Sequence, residues 1–309
     1  MDEVVRKLCT QLEGAHLKCR VVSIRHLPEL QEDLTGFHAR GSFNGDFFQE
    51  RLTFFDFSPP DDLPAARSLI VVAVPRPQTR VKFTWQGKTR RLIFPPTYLG
   101  HSRISRQINE LLEKLLAPFG YRVIPARLPQ KLLAVHSGLA EYGRNNICYI
   151  PGFGSFFQPT VFFSDLPCEE DDWRELRSME RCQSCKACML KCPTGAITEE
   201  RFLLHAERCL VFHNERPGGI PFPSWIDRSA HNCLMGCMIC QKFCPENKPV
   251  LNWFEGDEKF SNEETTLLME GASREQFPAG MVKKLERLEL LEDLDKLPRN
   301  LDVFFSRSR

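Results

Sequence analysis

Nine of the thirteen cysteines in this chain of 309 residues lie between Cys182 and Cys244. A disulfide scaffold spreads its cysteines through a short secreted domain, whereas clustering inside a longer chain points to metal. The first group reads Cys182-x2-Cys185-x2-Cys188-x3-Cys192-Pro193. At this spacing three thiolates wrap three irons of one cubane, and the fourth cysteine, set apart by its proline, reaches a second cluster. The second group holds Cys237-x2-Cys240-x3-Cys244-Pro245, with Cys233 and Cys209 upstream. By the exchange rule Cys182, Cys185 and Cys188 take Cys244 as their fourth ligand, and Cys192 joins Cys237, Cys240 and one more cysteine. Cys209 and Cys233 compete for that last place. Two [4Fe–4S] clusters and electron transfer are the chemistry this array predicts. Zinc sites rarely use this four-cysteine spacing with proline. Cys233-x3-Cys237-x2-Cys240 also spells the radical-SAM triplet, but it runs straight into Cys244-Pro245 and lies too near the C-terminus for a barrel to follow. Cys9, Cys19, Cys148 and Cys168 lack ligand spacing and read as buried or incidental thiols.

The elements that must position the array fall on either side of it. Val4, Val5, Leu8 and Leu12 share a helical face, and a strand is expected at 20–24. Residues 28–62 read as irregular and aromatic-rich. Ser68–Val74 is a continuous apolar run, the pattern of a strand buried on both faces. VKFTW and RRLIF flank Gln86–Gly87 as a hairpin. The spacing predicts helices over 102–116 and 130–142, with strands at 121–125, 146–150 and 160–163. After the acidic segment CEEDDWRE and the cysteine block come two helices. One is capped by Ser261 with Glu264; the other covers about 280–294, with Met281, Leu285, Leu288 and Leu291 inward and Pro298 as its stop. The expected fold class is α+β: an α/β-type cofactor domain at 1–165, a ferredoxin-like double-cluster domain at 166–250, and a short helical tail at 251–309.

Lys plus Arg total 41 against 40 Asp plus Glu, a net charge of +1, which argues against an electrostatically dominated nucleic-acid binder. No apolar run reaches the roughly 18 residues of a membrane span, and the start carries no signal core. A cytoplasmic protein is expected.

The order C-x2-C-x2-C-x3-CPTGAI, then ERC at Cys209, then GCMICQKFCPEN resembles epoxyqueuosine reductase and, more distantly, the reductive dehalogenases. LPAARSLIVVAV, HSGLAEYGRNN and GSFFQPTVFFSDLP look like core motifs of the same family, and the resemblance covers about 60–250. It implies an α/β domain holding cobalamin over two clusters fed by a ferredoxin or flavodoxin, with two-electron reduction of a small-molecule substrate that the sequence does not name. It also favours Cys209 over Cys233, because the family's last ligand sits in a segment like ERC. Two departures stand out. The family's acidic residue before G-L-x-x-x-G is replaced by Ile124 in VIPAR, so the expected general acid is missing. The tail after Pro249 has little room for the helical repeats that grip tRNA, and with no basic surplus tRNA is not the expected partner.

Outside the array, the resemblance makes Gly138, Tyr142, Arg144, Asn145, Gly154 and Ser155 candidates for lining a corrinoid cavity. Tyr142 beside the Arg144 cation is the candidate proton donor, weighed against Tyr142 packing and Arg144 holding a carbonyl or Glu141. His136 reads as a packing histidine, His205 and His213 as cover for the second cluster, and the basic stretch Arg80–Arg91 as a solvated face.

Overall fold

The computed structural model describes residues 3–306, which divide into two compact units. The first comprises the described residues up to Arg76, His101–Lys186 and Ile197–His205. Its sheet has four antiparallel strands in the order Lys18–Ser23, Ser68–Pro75, Phe157–Ser164, Val123–Pro125. Ser68–Pro75 is buried on both faces, as its unbroken apolar run predicts. Leu69, Val71 and Ala73 pack with Leu27, Leu30 and Leu133 of helices Leu27–Ala39 and Gln130–His136. Ile70, Val72 and Val74 pack with Leu8 and Leu12 of helix Glu3–Gly14 and with Ile108, Leu112 and Leu116 of helix His101–Leu116.

Two expectations change here. The span expected to be irregular holds helices Leu27–Ala39 and Gly45–Arg51. Pro28 starts the first, where its missing N–H costs nothing, and the Asn44 side chain caps the second by accepting from the Phe47 amide. The helix expected to reach residue 142 stops at His136. Gly138 takes a left-handed turn, and Glu141–Tyr142 then pairs with Cys148–Tyr149 as a two-residue ladder.

The second unit comprises Pro77–Gly100, Ala187–Ala196 and the described residues from Ala206 onward. Strands Gln78–Trp85 and Lys88–Phe94 form the expected hairpin, with Gln86 and Gly87 both at positive φ in its two-residue turn. A third strand, Phe254–Phe260, lies parallel to the first. Val81, Phe83, Phe94 and Phe260 bury one face of this sheet with Leu268, Met281, Leu285, Leu288, Leu297 and Leu301, and Leu291 packs against that core. Helix Asn262–Met269 has the full capping box of Ser261 and Glu264. Helix Ala279–Arg287 is shorter than expected. Pro298 begins helix Leu297–Phe305 rather than ending its predecessor, a first-turn position where proline is tolerated. The fold is α+β, and among the described residues no helix is long and apolar enough to cross a membrane.

Candidate iron–sulfur centre

In the second unit two short helices present the cysteines. Helix Ala187–Lys191 carries Cys188 and leads to Cys192; helix Ile239–Lys242 carries Cys240 and leads to Cys244, and the two helices pack together. Each stops at its Cys-Pro, where the residue before proline is turned away from helical backbone. Beyond Pro193 the chain folds back through Gly195, at φ +62°, so that the Ala196 amide donates to Cys192 Sγ at 3.3 Å.

Cys209 caps helix Leu210–Asn214, and its thiol is pushed up to about 12, first by burial and then by the charges of Cys237 and Cys192, against the Val211 amide that lowers it. The Cys237 thiol is also raised by burial, offset by Asn232 and the Ile239 amide. Cys233 is raised by burial and by Cys237, and its Sγ donates to Asn232 Oδ1 at 3.3 Å. Cys209 therefore senses both Cys192 and Cys237, whereas Cys233 senses only Cys237 of the two.

Buried asparagines hold these loops, and the sequence reading missed them. Asn232 donates to Cys237 Sγ at 3.1 Å and accepts from the Met238 amide at 2.8 Å. Asn214 exchanges two hydrogen bonds with the Gly236 backbone, donating at 2.7 Å and accepting at 3.0 Å. Asn300 donates to the carbonyls of Asn214 and Leu234 at 2.9 and 3.0 Å. Gly236 is required: a Cβ there would stand 2.5 Å from the Tyr98 ring. Tyr98 in turn donates to Glu215 Oε1 at 2.5 Å, and burial followed by that carboxylate raises its phenol well above the ordinary range.

In the first unit Cys182 sits in the turn Glu180–Gln183, and Cys185 follows it. The Arg144 amide donates to Cys182 Sγ at 3.4 Å, and its guanidinium donates to the Cys182 carbonyl at 2.5 Å. Tyr142 is buried with its ring edge-on to Phe202, and desolvation raises its phenol well above the ordinary range. Asn145 donates to the Tyr149 hydroxyl at 2.9 Å. Asn146 bonds the Phe202 carbonyl and the Leu204 amide at 2.9 and 2.6 Å. The Gly154 amide closes on the Ile150 carbonyl at 2.9 Å, Ser155 is buried, and the space above Gly138 is filled by the Arg174 side chain. His136 is buried between Asp33 and the Arg174 carbonyl, at 2.7 and 2.6 Å, and stacks on Trp173. His205 meets Arg201, and His213 meets the Glu207 carbonyl. Ile124 lies on Val123–Pro125, paired with Phe163 and packed against the apolar core.

All these ligand candidates are thiols, and hydrogen bonds from amide or side-chain N–H groups already point at Cys182, Cys192 and Cys237. The donor set suits thiolates bound to iron. Comparison with known families agrees, since residues 181–247 match the 4Fe–4S double cluster binding domain. The chain carries that domain. It is epoxyqueuosine reductase-like in sequence: 26% identical to the epoxyqueuosine reductase of Staphylococcus aureus over 238 residues, 72% of this chain and 58% of the relative. The enzyme of Xanthomonas campestris is 32% identical over 154 residues, 48% of this chain and 41% of that one. The chain thus spans about half the length of these curated relatives. The fold is shared with an epoxyqueuosine reductase crystallised with an epoxyqueuosine-modified tRNA-Tyr stem loop (TM-score 0.65, 20% identity, covering 97% of this chain and 81% of that one). That structure and the relatives' name overturn the expectation against tRNA. Net charge averages over the whole surface and says little about a local RNA-binding face.

Proposed function

We propose that this chain is an iron–sulfur reductase acting in the manner of its relatives, with an epoxyqueuosine-bearing tRNA as its substrate. The observation that carries the reading is the double-cluster match over 181–247, a span that takes in all eight cysteines proposed as ligands. Cys192, Cys209, Cys237 and Cys240 would hold one cluster, and Cys182, Cys185, Cys188 and Cys244 the other, the second set resting on the spacing alone. When bound, the clusters supply electrons one at a time at low potential. The chain's own part is to donate N–H groups to the sulfurs from Arg144, Ala196 and Asn232. Such hydrogen bonds stabilise the more negative, reduced state. The functional division we propose is 1–165 for substrate, 166–250 for the clusters and 251–309 as tail.

Cobalamin, which the family resemblance implies, does not fit the residues first suggested for it. The polar groups of Asn145 and Gly154 are spent inside their own unit, Tyr142 is buried against Phe202, and Arg174 covers Gly138. No step is routed through it. A second reading, an electron-transfer module without its own catalysis, is favoured by Ile124, which cannot protonate a leaving oxygen. Expression in queuosine-deficient cells separates the two. Restored queuosine in tRNA supports the reductase, and continued accumulation of epoxyqueuosine by a chain of full iron content supports the module.

A further inference from the structure

Segment 222–231, the end of helix Asn262–Met269 and helix Leu297–Phe305 leave between them a cavity of about 510 Å³, wholly within the second unit. Phe222, Ile226, Met269 and Val303 give it apolar walls, and exposed Ser224 and Arg228 mark its mouth. That volume suits a small organic molecule. The charges lining it do not balance. Two guanidiniums, Arg228 and Arg299, face one carboxylate, Asp302, so one positive charge is left over. Asp302 pairs with Arg228 at 3.4 Å. Arg299 has no ion pair among the described residues. Its five N–H groups all go to uncharged oxygens, four of them backbone carbonyls and one the Asn300 side chain. Burial lowers its pKa, with Asp295 acting the other way. Arg299 therefore supplies a field rather than free donors, and its guanidinium carbon stands 4.5 Å from the Phe222 ring centroid.

His231 feels that field. Its ring lies edge-on to Phe222 at 4.6 Å and has no hydrogen-bond partner among the described residues. Burial first, then the charges of Arg228 and Arg299, push the imidazole down to about 4. It is neutral at physiological pH and keeps one N–H to donate. The Ser224 hydroxyl is also without a partner among the described residues.

We propose that this cavity binds a small organic monoanion, a carboxylate carried on an apolar ring or short chain. The carboxylate takes the Ser224 hydroxyl and the His231 N–H within the field of the two arginines, and the body covers the apolar walls. One surplus positive charge matches a monoanion, whereas a phosphate dianion exceeds it and a neutral molecule leaves it uncompensated. The site stands on the cavity and not on the reading of the cysteines.

The probe is benzoate, with benzyl alcohol as its uncharged counterpart and inorganic phosphate as an anion without an apolar body. Saturation-transfer NMR and calorimetry on the iron-loaded full chain should show benzoate bound about ten-fold more tightly than either. Val303→Trp, which fills the cavity, should abolish binding. Arg228→Gln, which removes the surplus charge, should weaken it about ten-fold. Neither residue belongs to the core shared by the hairpin and the tail helices, so iron content should hold in both. Equal affinity of wild type and either iron-replete variant overturns the site. So does phosphate bound as tightly as benzoate, which is surface charge alone. A chain that carries its iron yet shows no transfer to benzoate at about 10 mM removes the site and leaves the clusters standing.

Discussion

Cys209 and Cys233 differ in what surrounds their sulfurs. Both are buried deeply enough that an isolated thiol would stay protonated at neutral pH. The charges of both Cys192 and Cys237 oppose ionisation of Cys209, whereas of these two only Cys237 opposes that of Cys233. That mutual repulsion is what a cation-rich cluster would turn into attraction, since metal binding deprotonates a coordinating thiol outright. Cys233 donates to Asn232, the residue that also holds Cys237, and so has a structural use without iron. Cys209→Ser should therefore lower iron from about eight to about four per chain, while Cys233→Ser should keep about eight. Anaerobic iron assay with EPR of the reduced protein reads both, and the opposite pattern would exchange the two assignments.

Loops rather than long elements position these ligands, and at this scale the asparagines matter most. Asn214 and Asn300 are fully buried, and each joins segments far apart in the chain: residues 214, 234, 236 and 300 meet through them. Asn300→Leu keeps the number of side-chain heavy atoms but removes the Asn300 donor from the Leu234 carbonyl and leaves the Asn214 carbonyl only Arg299 Nη2 at 3.2 Å. The cost should be about 1–3 kcal/mol, read as a lower urea midpoint with an unchanged slope. None of this was legible beforehand, because an asparagine in a loop reads as turn chemistry and its long-range partners leave no local pattern. The central strand Ser68–Pro75, the hairpin over Gln86–Gly87 and the capping box at Ser261 were legible, each having a local cause. Helix Leu27–Ala39 was not, since its buried face is only Leu27, Leu30 and Leu34. Nor was Phe254–Phe260, a mostly exposed and charged strand that follows its parallel neighbour through a register shift. The cluster ligands were readable because coordination fixes spacing along the chain, whereas substrate groups are gathered from distant segments and carry no such period.

For the whole molecule, the two units differ in what keeps them folded. The first has a sheet buried on both faces by helices, a core that needs no cofactor. In the second, the hairpin, Phe254–Phe260 and the tail helices share a core. The ligand-bearing stretch from Cys209 to Cys244 adds Leu234 and Met235 to that core but otherwise has helices of only three to five residues and a small cluster of Leu210, Ile226 and Ala230. Helices that short do not stand alone in water, and buried thiols brought together without metal gain nothing from their proximity. Iron binding is thus coupled to the order of this stretch, as metal binding is to folding in small metal domains. Stripping iron under anaerobic chelation should raise deuterium uptake by more than about ten-fold across residues 206–247, equivalent to about 1.4 kcal/mol of lost protection. Uptake across Ser68–Pro75 and Phe157–Ser164 should hold, because their hydrogen bonds belong to a sheet that no cysteine of the array completes. If instead 206–247 stays protected without iron, the asparagine brackets alone hold the loops. The ligand set would then be preorganised before any cluster arrives, and reconstitution should be fast and non-cooperative. If the central strands lose protection as well, cluster loss is transmitted into the first unit. Arg144, which bonds Cys182 through both backbone and side chain, would then be the residue to change next.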